Sequence, residues 1–317
     1  MRSLPFLDAS TLMSLVSPRE AQDALESALA GGLDLTASLP RRAVQTRSGE
    51  LLLMPAESTD AVGFKLLGLA PGNPAAGLPR IQGLYVLFDA DTLTPQLLID
   101  GSALTLLRTP AVSALAVQHL AAPDAQVLTV FGTGPQAQAH VQAVASIRPI
   151  SVVNVVGRRP EAAAAMCAAL HAAGLAANPG GEESVADADI VVCVTTSKVP
   201  LFHGDVLADH ACVVAIGSHQ PSVRELDDRV FARASRVVVE DLQTALREAG
   251  DVMMAIEGGA LVVSDLIDMI EMLAAPESRG VTVFKSVGMG WQDLAVAEAA
   301  RAAWLSAVPA CRARRLW

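Results

Sequence analysis

Apolar positions in the first part of the chain follow two different rhythms. Between residues 10 and 31 they fall at helical spacing (Leu12, Leu15, Val16, Ala21, Leu25, Leu29) and stop at Gly31-Gly32, a helix-ending signal. This predicts one amphipathic helix. From about 50 to 100 the runs are short and β-type: Leu51–Leu53, Gly63–Leu69, Leu84–Phe88 and Gln96–Ile99, divided by turn-rich stretches such as Ala-Pro-Gly-Asn-Pro at 70–74. They predict an antiparallel or mixed sheet. An alanine-rich helical pattern over 103–120 then runs into Ala-Ala-Pro-Asp (121–124), which reads as a boundary loop.

From there the pattern alternates. Strand-like Gln126–Phe131, a helix from about 136, strand Ser151–Val156, a helix over 160–173 and strands Ile190–Thr195, Cys212–Ile216 and Arg236–Val239 predict a parallel sheet with helices on both faces. Val281–Phe284 adds a further strand, and residues 293–306 form a last alanine-rich helix. The basic tail at Arg312, Arg314 and Arg315 reads as a solvated end.

The 317 residues are about twice an ordinary single-domain length, so two domains are expected. With 52% hydrophobic and 18% charged residues, core material is ample; only 3% are aromatic, which suits Val/Leu-rich sheets between Ala-rich helices. A net charge of −10 without a cation cluster excludes nucleic acid as the main partner and points to a small molecule. Cys167, Cys193, Cys212 and Cys311 lie far apart with no CxxC pair, so neither a metal site nor a disulfide scaffold is expected. The N-terminal residues lack the apolar core of a signal peptide, and no apolar stretch reaches the ~18 residues of a membrane helix. A soluble, cytoplasmic protein with no membrane partner is expected.

The strongest chemical signal is Gly132-Thr133-Gly134-Pro-Gln136-Ala137, which follows the apolar strand Val127–Phe131 and opens a helix. The first glycine permits a tight turn, the second lets the backbone approach a pyrophosphate, and the small third residue allows close helix packing. The alternative is a purely structural glycine turn. The end of the next strand reads Val156-Gly157-Arg158-Arg159, with no carboxylate for a ribose hydroxyl and two guanidinium groups suited to a 2′-phosphate, so NADP(H) is favoured over NAD(H).

An ordered series of motifs spans nearly the whole chain: Leu53-Met54-Pro55-Ala56, Lys65, Pro71-Gly-Asn73 with Gly77-Leu-Pro79, Leu87-Phe88-Asp89, Asp100-Gly101, Leu104-Thr105, Arg108-Thr109-Pro-Ala111-Val-Ser113-Ala114, the Gly132 turn with His140, Arg224-Glu225-Leu226-Asp227, Glu248-Ala-Gly250-Asp251 and Val283-Phe284-Lys285-Ser286-Val287-Gly288. In these the sequence resembles the ornithine cyclodeaminase/mu-crystallin family. The resemblance implies an α/β protein in which a Rossmann-type parallel-sheet domain (121–291) is inserted into a second, α+β substrate-binding and dimerisation domain (1–120 plus 292–317). It implies a homodimer and an α-amino or α-imino carboxylate substrate beside a nicotinamide. Beyond the Gly132 turn and Gly157–Arg159, it implies cofactor contacts at Thr109, Thr195, Thr196, Gly217, Ser218, Val287 and Gly288.

By the same resemblance the substrate carboxylate meets Arg108 and Lys65, with a third cation at Arg41 or Arg42, of which Arg42 fits better, and Met54 as a wall of the pocket. Lys65 lies in the apolar run Val62–Leu69, where its charge is costly unless an anion arrives to meet it. Ornithine cyclodeaminases carry carboxylates at two positions that here are Leu52 and His219, so the anchors for a diamine are missing. His219 is then a candidate proton donor to the imine nitrogen; alternatively it packs on its loop or touches cofactor, and Lys65 or water donates. The expected activity is NADPH-dependent reduction of a cyclic α-imino acid, Δ1-pyrroline-2-carboxylate or Δ1-piperideine-2-carboxylate. The alternatives are an ornithine cyclodeaminase, an alanine dehydrogenase-like deaminase, and a crystallin-like binding protein without activity.

Overall fold

The computed structural model describes residues 4–276 and 279–307, so the basic tail lies outside the described residues. The chain divides into two compact units, one formed by Met1–Ala111 with Met289–Trp317 and the other by Val112–Gly288. The second unit so divided starts nine residues before the expected position 121 and ends three before the expected 291. Each unit is built around its own sheet.

The first unit opens with β1 (Phe6–Leu7), followed by α1 (Ala9–Leu15) and α2 (Pro18–Ala30), where the apolar spacing had suggested one helix. Ser17 separates them with a capping box. Its hydroxyl accepts the Glu20 N–H, the Glu20 carboxylate accepts the Ser17 N–H, and Pro18 occupies the first helical position. Leu12, Ala21, Leu25 and Leu29 are all buried, so the apolar rhythm runs on across the break. Strands β2 (Arg42–Thr46), β3 (Gly49–Glu57), β4 (Ala61–Leu69), β5 (Ile81–Asp89) and β6 (Pro95–Asp100) complete a six-stranded sheet in the order β1-β6-β5-β4-β3-β2. Only the β1–β6 pair is parallel, so the sheet is mixed. Strand β2 escaped the sequence reading because it is an edge strand with every residue exposed. Helix α3 (Gly101–Leu120) follows, with Pro110 inside it.

The second unit comprises β7 (Val127–Phe131), α4 (Pro135–Ala145), β8 (Val152–Val156), α5 (Pro160–Ala172), β9 (Ala177–Pro179), β10 (Ile190–Cys193), β11 (Cys212–Ala215), α6 (Asp228–Arg233), β12 (Ala234–Val239), α7 (Leu242–Glu248), α8 (Gly250–Glu257), β13 (Leu266–Ile267), α9 (Met269–Ala274) and β14 (Val281–Lys285). Its eight strands are all parallel, in the order β13-β12-β14-β11-β10-β7-β8-β9. Every residue of β10, β11 and β14 is buried, as expected where helices cover both faces of a parallel sheet. The chain steps from β7 to β8 and β9 on one side, then returns to place β10 on the other. This reversal makes a switch point at the carboxyl ends of β7 and β10, where open α/β sheets bind ligands.

Helix α10 (Gly290–Ala307) returns to the first unit and packs on β3, β4 and α2. It covers one face of the mixed sheet, which includes Met54, Lys65, Tyr85 and Ile99, paired across adjacent strands. The opposite face is apolar but uncovered: Leu51, Leu66 and Leu84 are exposed, and Phe64 and Phe88 stack with centroids 5.7 Å apart. Among the described residues, no helix is long and apolar enough to cross a membrane.

Candidate active site

Because the strands of the second unit run parallel, the loops leaving their carboxyl ends share one edge. The turn after β7 is shaped by glycine. Gly132 has φ +125°, and a side chain there would strike the Val194 carbonyl; the same position faces the Ala137 methyl at 3.5 Å, which explains the small third residue. Gly134 caps α4 in an extended conformation with open space before it and no side chain bonding the first-turn N–H groups. Beside it, a side chain at Gly157 would meet the Thr133 methyl at 2.6 Å. The cradle fits a pyrophosphate: backbone N–H groups at a helix start, and no side chain in the way.

Gln136 is half-buried, and its carbonyl accepts from His140, which is fully buried and also bonded to Ser113, a structural arrangement. Arg158 and Arg159 are exposed at the end of β8, with no carboxylate on that strand end. The remaining expected contacts of this unit, Thr195 and Thr196 after β10, Gly217 and Ser218 after β11, and Val287 and Gly288 after β14, lie on the same sheet edge. His219 is exposed on the β11 loop. Thr109, in α3 of the first unit, is buried and its hydroxyl has no hydrogen-bond partner. Glu240, which no motif in the sequence marks, is a buried carboxylate that accepts the Val287 and Gly288 N–H groups at 2.7 and 2.9 Å and so sets that loop.

In the first unit, Lys65 projects from the middle of β4 and is fully buried. Its ammonium does not wait for an arriving anion, as the sequence had suggested. Asp293 of α10, also fully buried, meets it at 2.8 Å through one carboxylate oxygen and 2.7 Å through the other. Arg108 donates from Nε to the same carboxylate at 3.1 Å and from Nη1 to Gln292 Oε1 at 2.6 Å. Burial pushes the Lys65 pKa down to about 7; the Arg108 charge adds to this, and Asp293 only partly offsets it. A lysine so poised holds or releases a proton near neutrality.

Arg41 also acts on Lys65 by its charge, and it is half-buried, whereas Arg42 is exposed. Strand parity explains the difference: Arg42 pairs with Leu53, on the opposite face from the Met54–Lys65 pair. The register therefore favours Arg41 over the expected Arg42 as third cation. Met54 is buried and packs with Leu52 and Leu67, so Leu52 contributes an apolar contact where a diamine would need a carboxylate. Tyr85, opposite Lys65, has a buried hydroxyl without a hydrogen-bond partner, and burial together with the Asp293 charge raises its pKa well above the ordinary value. Asp293 and Gln292 were hidden in a stretch that reads only as an alanine-rich helix; an Asp beside Leu-Ala-Val-Ala was the one available signal.

An all-parallel sheet with a glycine-lined turn at its switch point is the framework of a dinucleotide-binding domain, and the relatives that follow make the chain an NAD(P)-dependent oxidoreductase. The model of the ornithine cyclodeaminase/mu-crystallin family matches residues 6–307, and the chain belongs to that family. A Δ1-pyrroline-2-carboxylate/Δ1-piperideine-2-carboxylate reductase of Azospirillum brasilense is 36% identical over 255 residues, covering 80% of each chain. Among solved structures, an archaeal alanine dehydrogenase dimer with bound NAD matches with TM-score 0.88 and 28% identity, covering 96% of this chain and 97% of that one. Thermococcus litoralis Δ1-pyrroline-2-carboxylate reductase in complex with NADH and L-proline matches with TM-score 0.85 and 25% identity, covering 96% and 98%.

Proposed function

We propose that the protein is an NADPH-dependent reductase of a cyclic α-imino acid, converting Δ1-pyrroline-2-carboxylate to L-proline and Δ1-piperideine-2-carboxylate to L-pipecolate. The observation that carries this reading is the pair of buried cations, Lys65 and Arg108, gathered on the single carboxylate of Asp293. Two cations on one resident anion, with Arg41 nearby, leave positive charge for a substrate carboxylate. Asp293 and Gln292 occupy Nε and Nη1 of Arg108 and fix the plane of its guanidinium, so the remaining N–H donors are set for a planar anion. At the two positions where the resemblance places a cyclodeaminase's amine anchors, this chain has the apolar Leu52 and His219 instead of carboxylates.

When bound, the reduced nicotinamide supplies a hydride to the imine carbon, and a proton must reach the ring nitrogen. Lys65 is the stronger donor candidate because its pKa of about 7 lies at the operating pH; His219, exposed on the β11 loop, is the second. Arg158 and Arg159, with no acidic neighbour on the strand end, support NADPH over NADH. The uncovered apolar sheet face supports a homodimer paired through these sheets, because a contiguous apolar surface of this kind marks an interface. NADPH oxidation with Δ1-pyrroline-2-carboxylate, measured beside L-ornithine and L-alanine with NAD⁺ or NADP⁺, tests the assignment. Turnover of the imine with little ornithine cyclisation is expected; efficient cyclisation, or oxidation of alanine alone, overturns it.

A further inference from the structure

Three buried ionisable groups of the second unit, Lys285, Asp251 and Glu225, form a connected network that takes no part in the chemistry above. Lys285, at the end of β14, is ion-paired with Asp251 of α8 at 2.9 Å and donates to the Ser218 carbonyl at 2.7 Å. Asp251 in turn accepts the N–H groups of Glu225 and Leu226 at 2.6 and 2.9 Å. Glu225 is fully buried. One of its oxygens accepts from the Thr195 N–H and hydroxyl at 2.8 and 2.7 Å, and the other accepts the Gly217 N–H at 2.7 Å. A single carboxylate thus bridges the loops that follow β10 and β11. The loops are close enough that a side chain at Gly217 would strike both the Thr195 carbonyl and the Glu225 carboxyl.

Apolar side chains could hold a core together without the cost of burying three charges, so what the network adds is position rather than stability. The sheet order shows what is positioned. A dinucleotide with its pyrophosphate at the β7 turn and its adenosine half on the Arg158 side, over β8, has its nicotinamide half on the other side, over β10 and β11.

We propose that Glu225 is a positioning residue that joins the Thr195 and Gly217 loops into one floor for the nicotinamide half of the cofactor, with Asp251 and Lys285 holding it in place. The proposal rests on the dinucleotide reading of this unit and uses imine reduction as one of its readouts. Glu225→Gln keeps the side-chain size, but an amide has one acceptor oxygen and cannot accept from both loops. Thr195→Val removes only the hydroxyl and leaves the carboxylate in place, which covers the case in which the first variant does not fold. The readouts are kcat for Δ1-pyrroline-2-carboxylate reduction, the Kd for NADPH, and the Kd for 2′-phospho-ADP-ribose, which lacks the nicotinamide. Since a misplacement of about 1 Å costs about 100-fold, Glu225→Gln should lower kcat by about 10- to 100-fold and Thr195→Val by less. NADPH affinity should fall while affinity for the fragment stays within about twofold in both variants. Equal weakening of NADPH and fragment would show a merely structural role, and an unchanged kcat in folded variants would also overturn the proposal. If the wild-type protein reduces no imine, the substrate reading fails, and the two titrations still decide the case of Glu225.

Discussion

Replacing Asp293 by Asn removes the one carboxylate shared by Lys65 and Arg108 while keeping the side-chain shape. In the wild type, burial and the Arg108 charge lower the Lys65 pKa to about 7, and Asp293 is the influence that holds it up. Without that charge the pKa falls further. A fall of one unit takes the protonated fraction at pH 7 from about a half to about a tenth, and each further unit costs about another tenfold. If protonated Lys65 holds the carboxylate or supplies the proton, kcat/KM in the wild type declines as pH rises through about 7. In Asp293→Asn the same decline moves to lower pH, and activity at pH 7.5 drops by roughly 5- to 50-fold. The variant should also be less stable, by about 2 to 4 kcal/mol, because two buried cations lose their counter-charge and the amide retains only one acceptor. The assay is kcat/KM for imine reduction from pH 5.5 to 9, with a melting curve at each pH to confirm folding. An unmoved pH limb in a folded variant would refute the argument.

Arg108→Ala should cost at least about 2 kcal/mol in kcat/KM for the imine, read from steady-state kinetics. Replacing both Arg158 and Arg159 by Ala should erase most of an expected ~10- to 100-fold preference for NADPH over NADH in titrations. Leu66→Glu with Leu84→Glu, two exposed residues on adjacent strands of the uncovered sheet face, should shift the protein toward monomer in light scattering at micromolar concentration. Folded Lys65 has a lowered pKa of about 7 against 10.5 in the ordinary state, so between these values the unfolded chain binds the extra proton. Its contribution therefore makes stability rise with pH across that window, by an amount on the order of a few kcal/mol, and the rise should be absent from denaturant titrations of Lys65→Met.

The inner parallel strands β7, β10, β11 and β14 were legible because each is a short apolar run buried along nearly its whole length, whereas the edge strands escaped, β9 because Asn178 and Pro179 are exposed and β13 because it is only two residues long. The Gly132 turn was legible because Gly132, at φ +125° against the Val194 carbonyl, occupies a place no side chain fits, and Gly134 leaves the start of α4 open. Strand β2 was not, since its pairing is entirely with β3 and none of its side chains is buried. The Ser17 cap interrupts a helix without interrupting its apolar stripe. Choosing between Arg41 and Arg42 depended on strand parity, which becomes visible only once Leu53 is paired with Arg42. Asp293 was beyond reach for another reason: it meets Lys65 across 228 positions of sequence, and no local pattern encodes such a pairing. Glu225, Glu240 and Asp251 act mainly on backbone N–H groups, a role that side-chain chemistry does not advertise.

The first unit is assembled from two stretches of chain, and this sets a timetable for the anion site. Lys65 and Arg108 are made early, but the carboxylate that neutralises them comes 185 positions after Arg108. At roughly 5 to 20 residues per second, a growing chain carries both cations for about 10 to 40 s before their counter-ion exists. The stretch Val112–Gly288 is made in that interval, but β14, which pairs with β11 on one side and β12 on the other, ends at Lys285, just ahead of Asp293. Lys65 can be sealed beneath α10 only once Asp293 has been made, so the interior of the parallel sheet and the anion site are both closed by the same late stretch of chain, residues 281–293.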